Sequence, residues 1–245
     1  MNIAIIGYGK MGKMIEQVAL ERGHQIGLII GENNLEDFTD ENLQRIDAAI
    51  EFTMPESAVA NIKRCIINNC PIVSGTTGWL KELGTLKSLL AQHNSGFIYS
   101  SNYSLGVNIF FALNKKLAQY MAPYTQYQAS IEEIHHTAKL DAPSGTAITL
   151  AEGVIAHHPT LKEWTLADVD HNGYSEESLP ITALRIDPCP GTHTVKYSSP
   201  IDDLEIKHTA HTRYGFALGA VIAAEWLLDK KGFYTMADVL GLNDE

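Results

Sequence analysis

The residue types best suited to chemistry are concentrated in residues 132–147, EEIHHTAKLDAPSGTA. The segment reads as a strand ending in two histidines, then a polar loop, then a helix. Ser144 can cap that helix, and the N–H groups around Gly145 and Thr146 would point outward as a cradle for a carboxylate. Lys139 adds a positive charge five residues before the cap. His135 and His136 face opposite ways if the strand runs through both, so they should have different roles, one of them structural. Histidine titrates near neutrality and can supply the proton that accompanies hydride in a reduction, while lysine can neutralise a substrate carboxylate. The alternative is a capped helix after a polar loop, with a surface lysine and two histidines present by chance.

A second chemical segment opens the chain. Gly7, Gly9 and Gly12 of GYGKMG form a GxGxxG pattern directly after an apolar run and at the start of a helical one. Gly7 would permit a tight turn, Gly9 a close backbone approach to a pyrophosphate, and Gly12 close packing of helix on strand. Tyr8, Lys10 and Met11 belong to the same loop. Glu32, just past the second apolar run, is the candidate for the adenosine ribose hydroxyls, and Lys10 could instead meet a 2′-phosphate, so NADH and NADPH both stay open. Two more loops rich in small donors follow apolar runs: Ser74, Gly75, Thr76, Thr77 and Gly78, then Ser100, Ser101, Asn102 and Tyr103. They could hold the nicotinamide end, although ordinary turn chemistry also explains them.

The elements needed to position these groups can be read from the hydrophobic pattern. Strands are expected over residues 3–6, 26–30, 48–52, 72–74 and 97–99, with helices over 11–22, 55–68 and 80–93 between them. Continuous apolar residues such as Ile3, Ala4, Ile5 and Ile6 fit parallel strands covered on both faces. The fold class is therefore α/β, a doubly wound parallel sheet. After Leu105 the rhythm changes to a long helix reaching about 121, a strand over 127–135, a helix over 144–157, and strands over 181–186, 192–197 and 204–209. These predict a second α+β unit with an antiparallel or mixed sheet. Apolar segments 216–228 and 236–240 should return to the first unit, giving domains of 1–104 with 212–245, and 105–211.

Composition narrows the partners. With 245 residues, 45% hydrophobic and 19% charged, the chain is expected to fold as an ordinary globular protein. A formal net charge of -11 opposes phosphate-backbone binding, so no nucleic-acid partner is expected. The apolar stretch at 215–228 is interrupted by Glu225 and falls short of the ~20 residues that span a bilayer. Neither a membrane span nor an export signal is expected. Cys65, Cys70 and Cys189 have no metal-binding spacing, which fits reduced thiols in the cytoplasm and no metal.

GYGKMG, EFTMPE, SGTTG, SNYSLGVN and above all IHHTAKLDAPSGTA resemble the dihydrodipicolinate reductase family over essentially the whole length. The resemblance implies a Rossmann-like cofactor domain, a mixed-sheet domain for substrate binding and oligomerisation, and a homotetramer. It implies that His135 donates or accepts a proton and that Lys139 donates a proton or contacts a carboxylate. His136, Gly145 and Thr146 would bind substrate, with Ser144 at the helix cap. Gly7, Lys10, Met11 and Gly12, residues 75–77 and residues 100–103 would line the dinucleotide. The family's acidic ribose contact aligns nearer Gly31 than Glu32, and its usual following basic residue is absent.

The implied reaction starts from a cyclic hydroxy-imine dicarboxylate, which loses water. Hydride then adds to ring carbon 4 and a proton completes tetrahydrodipicolinate, a step of lysine and diaminopimelate synthesis. Closure about joins near Leu105 and Thr212 is expected. The rivals are a related imine reductase or amino-acid dehydrogenase, and a non-catalytic dinucleotide sensor, which would need neither Lys139 nor the paired histidines.

Overall fold

The computed structural model describes residues 1–167 and 175–242 and divides the chain into two units, Met1–Leu105 with Arg213–Glu245, and Gly106–Thr212. The first unit begins β1 (Asn2–Ile6), α1 (Lys10–Glu21), β2 (Gln25–Ile30), α2 (Asp40–Leu43), β3 (Ala48–Glu51), α3 (Pro55–Ile67), β4 (Ile72–Ser74), α4 (Leu83–Leu90) and β5 (Gly96–Tyr99). The second holds most of α5 (Leu105–Met121), then β6 (Gln128–His135), α6 (Gly145–Ile155), β7 (Glu163–Ala167), β8 (Ser178–Arg185), β9 (Gly191–Ser198) and β10 (Asp203–Ala210). The chain rejoins the first unit with α7 (Tyr214–Leu227), β11 (Gly232–Tyr234) and α8 (Met236–Leu240).

The six strands of the first sheet run in the order β11-β5-β4-β3-β1-β2, all parallel. Strand alternation explains why so little of them is polar. Ile3, Ile5, Ile50, Val73 and Ile98 pack on one face with residues of α1 and α7. Ala4, Ile6, Ala49, Ile72 and Phe97 pack on the other with residues of α3 and α4. Both faces are dry, and each fully buried Ile or Val side chain contributes about 1.5–3 kcal/mol of burial. This is the Rossmann-like, doubly wound arrangement.

The second sheet is mixed, in the order β10-β9-β6-β8-β7: β9 is antiparallel to β10 and β6, while β8 is parallel to β6 and β7. Its core joins Ile131, Leu179, Ile181 and Val195 to Leu150, Ala151 and Val154 of α6 and Phe110 of α5.

Some elements differ from the sequence expectation. The helix expected over 80–93 is a 3-10 turn, Leu80–Glu82, followed by an α4 that stops at Leu90. Four further elements have no expected counterpart: α2, β7, β11 and a 3-10 turn, Leu35–Asp37. The first is a four-residue helix capped by Thr39, whose hydroxyl accepts from Asn42 N–H, and β11 is three residues completing the sheet edge beside β5. Among the described residues no helix is long and apolar enough to cross a membrane.

Candidate active site

In the first unit a cleft of about 830 Å³ lies where β1, β2 and β3 end, lined by Gly7, Tyr8, Gly9, Glu32, Asn34 and Thr53 among others. A hollow of about 450 Å³ shares Gly9 with it and is lined by Lys10, Met11, Gly75, Thr76 and Thr77. Gly7 has φ +95°, and a Cβ there would meet the Phe52 carbonyl oxygen at 2.0 Å. A Cβ on Gly12 would meet the Gly7 carbonyl oxygen at 2.2 Å, whereas Gly9 faces open space. The turn is thus crowded behind the loop and open in front of it, and α1 starts after Gly9 with no side-chain cap. Backbone N–H groups and the helix dipole are therefore available to a pyrophosphate, and these residues fit a dinucleotide.

Two hydroxyl-rich loops meet on a residue that motif reading passed over. Glu51, at the end of β3, is fully buried. Its carboxylate accepts from Thr53 N–H at 2.9 Å, Thr76 Oγ1–H at 2.7 Å and Ser74 Oγ–H at 2.5 Å, and also from the Thr53 hydroxyl. One carboxylate thereby ties the loop after β3 to the loop after β4. A glutamate closing the apolar run AAIEF was the signal available in the sequence.

Ser100, Ser101, Asn102 and Tyr103 line neither cavity. The Ser100 hydroxyl donates to Asn102 O at 2.7 Å, closing its own turn. Tyr103 is buried, and its hydroxyl donates to the carbonyls of Ser74 at 2.7 Å and Ile98 at 3.3 Å. Its side chain braces the strand ends. Glu32 is exposed on the loop after β2, whose shape is set by Asn34: its Oδ1 accepts from Gly31 N–H at 2.7 Å and its Nδ2–H donates to Ile29 O at 2.8 Å.

In the second unit strand register does the assembling. Glu133 and His135 are two apart on β6 and share a face; Glu133 pairs with His193 of β9, and His135 with Arg185 of β8. Glu133 is fully buried, and both histidines are nearly so. Glu133 Oε2 accepts from Ser144 N–H at 3.0 Å and lies 3.6 Å from both His135 Nδ1 and His193 Nε2. Its Oε1 accepts from Arg185 Nη1 at 3.3 Å and Nη2 at 3.4 Å. The two rings meet edge to face, 5.1 Å between centroids.

The strand stops at His135, so His136 lies in the following loop and the opposite-face argument does not reach it. Lys139 Nζ donates to both oxygens of Asp141 at 2.7 Å. Ser144 caps α6 by accepting from Ala147 N–H, and its Oγ sits 3.0 Å from His193 Nε2. Its side chain is therefore committed to the fold, while Gly145 is exposed and Thr146 half-buried at the helix start.

Burial pushes the His135 imidazole down to about 4, outweighing the pull of Glu133, with the charges of His193, Lys139 and Arg185 adding to the depression. For Glu133, burial alone would raise the carboxyl, but hydrogen bonds from His193 and Ser144 overcome it and bring it to about 2. Ligand atoms of Glu133, His135 and His193 all lie within 4.8 Å of one another, close enough to hold a cation. The Arg185 guanidinium already pairs with that carboxylate.

Known proteins resemble this chain along its length. The family description "Dihydrodipicolinate reductase, N-terminus" matches residues 1–103, and "Dihydrodipicolinate reductase, C-terminus" matches residues 106–240. The chain is 50% identical over 240 residues to 4-hydroxy-tetrahydrodipicolinate reductase of Christiangramia forsetii, covering 98% of each protein. It is 34% identical to the enzyme of that name from Neisseria gonorrhoeae, over 94% of this chain and 85% of the other. A dipicolinate-bound dihydrodipicolinate reductase from Paenisporosarcina sp. TG-14 has the same fold, with TM-score 0.77 and 22% identity over 96% of this chain and 97% of that one. With both halves matched and close relatives along its whole length, the chain belongs to the dihydrodipicolinate reductase family.

Proposed function

We propose that the chain reduces 4-hydroxy-tetrahydrodipicolinate, by way of dihydrodipicolinate, to tetrahydrodipicolinate in lysine and diaminopimelate synthesis. The observation that carries this reading is the second unit's buried Glu133, His135 and His193, with half-buried Arg185, beside the Lys139 loop and the start of α6. Bound in the first unit, a nicotinamide dinucleotide supplies the hydride. His135 moves the proton: neutral at pH 7 in the free protein, it gains one as two substrate carboxylates enter its field. Lys139 leaves Asp141 for a substrate carboxylate, and N–H groups at Gly145 and Thr146 take the same dianion at the helix start. His136 contributes from the loop, and Ser144 keeps the cradle in shape through its cap. With substrate bound, Lys139 and the newly protonated His135 favour the charge that develops as hydride adds.

NADH is the better coenzyme in this reading. Among the described residues, those lining the larger cleft include Glu32 and neither lysine nor arginine, so a 2′-phosphate would meet a carboxylate without a cation, whereas a ribose hydroxyl could donate to it. Lys10 lines the smaller hollow with Thr76 and Thr77. The proposal extends to a cytoplasmic homotetramer, for which three free cysteines and the family resemblance are the support.

The test couples the chain to the preceding synthase with pyruvate and aspartate semialdehyde, following NADH and NADPH oxidation beside a synthase-free control. Synthase-dependent oxidation is expected, faster with NADH. Absence of oxidation by a folded chain that still binds NADH would overturn the reaction. Dipicolinate, a planar dianion, should inhibit by occupying the same cradle.

A further inference from the structure

The geometry points to Glu133 and Arg185 as a pair of positioning residues that set the ring of His135 and the backbone beneath Lys139. The inference rests on the reading above, in which those two groups act on substrate. Neither member of the pair is built to touch substrate itself. Glu133 has no exposed surface. Arg185 has five N–H donors, and the structure uses them as five bonds: Nε to Lys139 O, Nη1 to Leu184 O and Glu133, Nη2 to Asp141 O and Glu133.

The carboxylate governs one ring. His135 Nδ1 is buried and lacks a hydrogen-bond partner, and Glu133 Oε2 faces it at 3.6 Å. A small turn of the ring closes that gap, which places the imidazole proton on Nδ1 and leaves Nε2 bare on the far side. Gly191 keeps that far side open, since a Cβ there would lie 3.1 Å from Nε2. Other groups whose charge acts on His135 are His193 from β9, Arg185 from β8 and Lys139 from the loop.

The guanidinium governs the loop. By holding the carbonyls of Lys139 and Asp141, at 3.3 and 2.7 Å, it fixes the backbone at the lysine and two residues beyond it. Because the same guanidinium rests on buried Glu133, ring and loop are set by one ion pair. Removing either charge leaves the other desolvated and releases the element it holds.

Nitrogen NMR of the full chain with labelled histidine, joined to steady-state rates, tests the assignment. At pH 7 His135 should carry its proton on Nδ1. Glu133→Gln should shift a measurable fraction to Nε2 and lower kcat about a hundredfold, a misplacement effect, with KM for NADH unchanged. Arg185→Lys should keep the tautomer, lower kcat about tenfold and raise KM for the dicarboxylate. Gly191→Ala changes no charge yet should lower kcat by crowding Nε2. A wild-type proton on Nε2, or wild-type turnover in both Glu133→Gln and Arg185→Lys, overturns the inference. Should Glu133→Gln not fold, the wild-type tautomer and Arg185→Lys decide. His135→Asn separates the two levels. If it turns over normally, the role given to His135 is lost and this inference with it. If it is dead while the positioning variants keep wild-type rates, this inference alone falls.

Discussion

Glu51 in the first unit and Glu133 in the second are both fully buried glutamates near the end of a strand, but they are held differently. Around Glu51 the donors are three hydroxyls and one backbone N–H. Around Glu133 they are a guanidinium and a backbone N–H, with two imidazoles at 3.6 Å. Hydroxyls can turn to accept as well as donate; a guanidinium can only donate. The first carboxylate therefore ties two loops together through neutral donors. The second lies beside an imidazole whose charge changes as pH falls.

Substituting the same amide in both places makes the contrast measurable. Glu133→Gln removes a fully buried charge from its pair with half-buried Arg185 and should cost about 3 kcal/mol in urea denaturation. Glu51→Gln should cost only about 1 kcal/mol, because the Ser74 hydroxyl can reverse and accept from the new amide. Equal losses would show that the two sites are held alike.

Acid should discriminate between them next. In the folded chain His135 titrates at about 4, against 6.5 for an unperturbed histidine. Between those values the unfolded chain binds more protons, so stability is fully present above pH 6.5 and is lost as pH falls toward 4. The shift corresponds to roughly 3 kcal/mol. Glu133, brought to about 2 from 4.5, continues the loss below pH 4.5. His158 and His208 are also lowered by burial and act in the same direction. The diagnostic is therefore the difference between wild type and His135→Asn in urea denaturation at pH 7, 5.5 and 4.5. The variant should lose less stability than wild type across this range, and parallel losses would mean that His135 is not depressed by its surroundings.

The same contrast explains what the sequence could reveal. The glycine loop is local: strand, turn and helix follow one another within residues 2–21, and apolar continuity marks β1 as covered on both faces. The histidines and Lys139 stand out by type and spacing. Glu133 does not, because Glu132 beside it is the same residue and only one of them faces inward. Alternation offered a clue, since Glu133 shares a face with Ile131 and His135. Its partners give no local signal: Arg185 is 52 positions away, and His193 is 49 from Ser144. Strand pairing brings them together, and β7 and β11 show how poorly short strands declare themselves beforehand. The burial of Tyr103, and the carbonyls its hydroxyl reaches, likewise give no sign in the polar loop that carries it.

The smallest expected effect concerns Glu32, the one charged side chain among the described residues that line the larger cleft. If its carboxylate accepts from a ribose hydroxyl and repels a 2′-phosphate, kcat/KM should favour NADH, and Glu32→Gln should narrow that preference about tenfold, or about 1.4 kcal/mol. An exposed charge is screened by salt, so the preference should also narrow as ionic strength rises. Equal use of NADH and NADPH, unchanged by Glu32→Gln and by salt, would move adenosine recognition from this side chain to the backbone after β2, where Asn34 shapes the turn at Gly31. The first unit would then do all its coenzyme selection without charge, which would widen the contrast with the second.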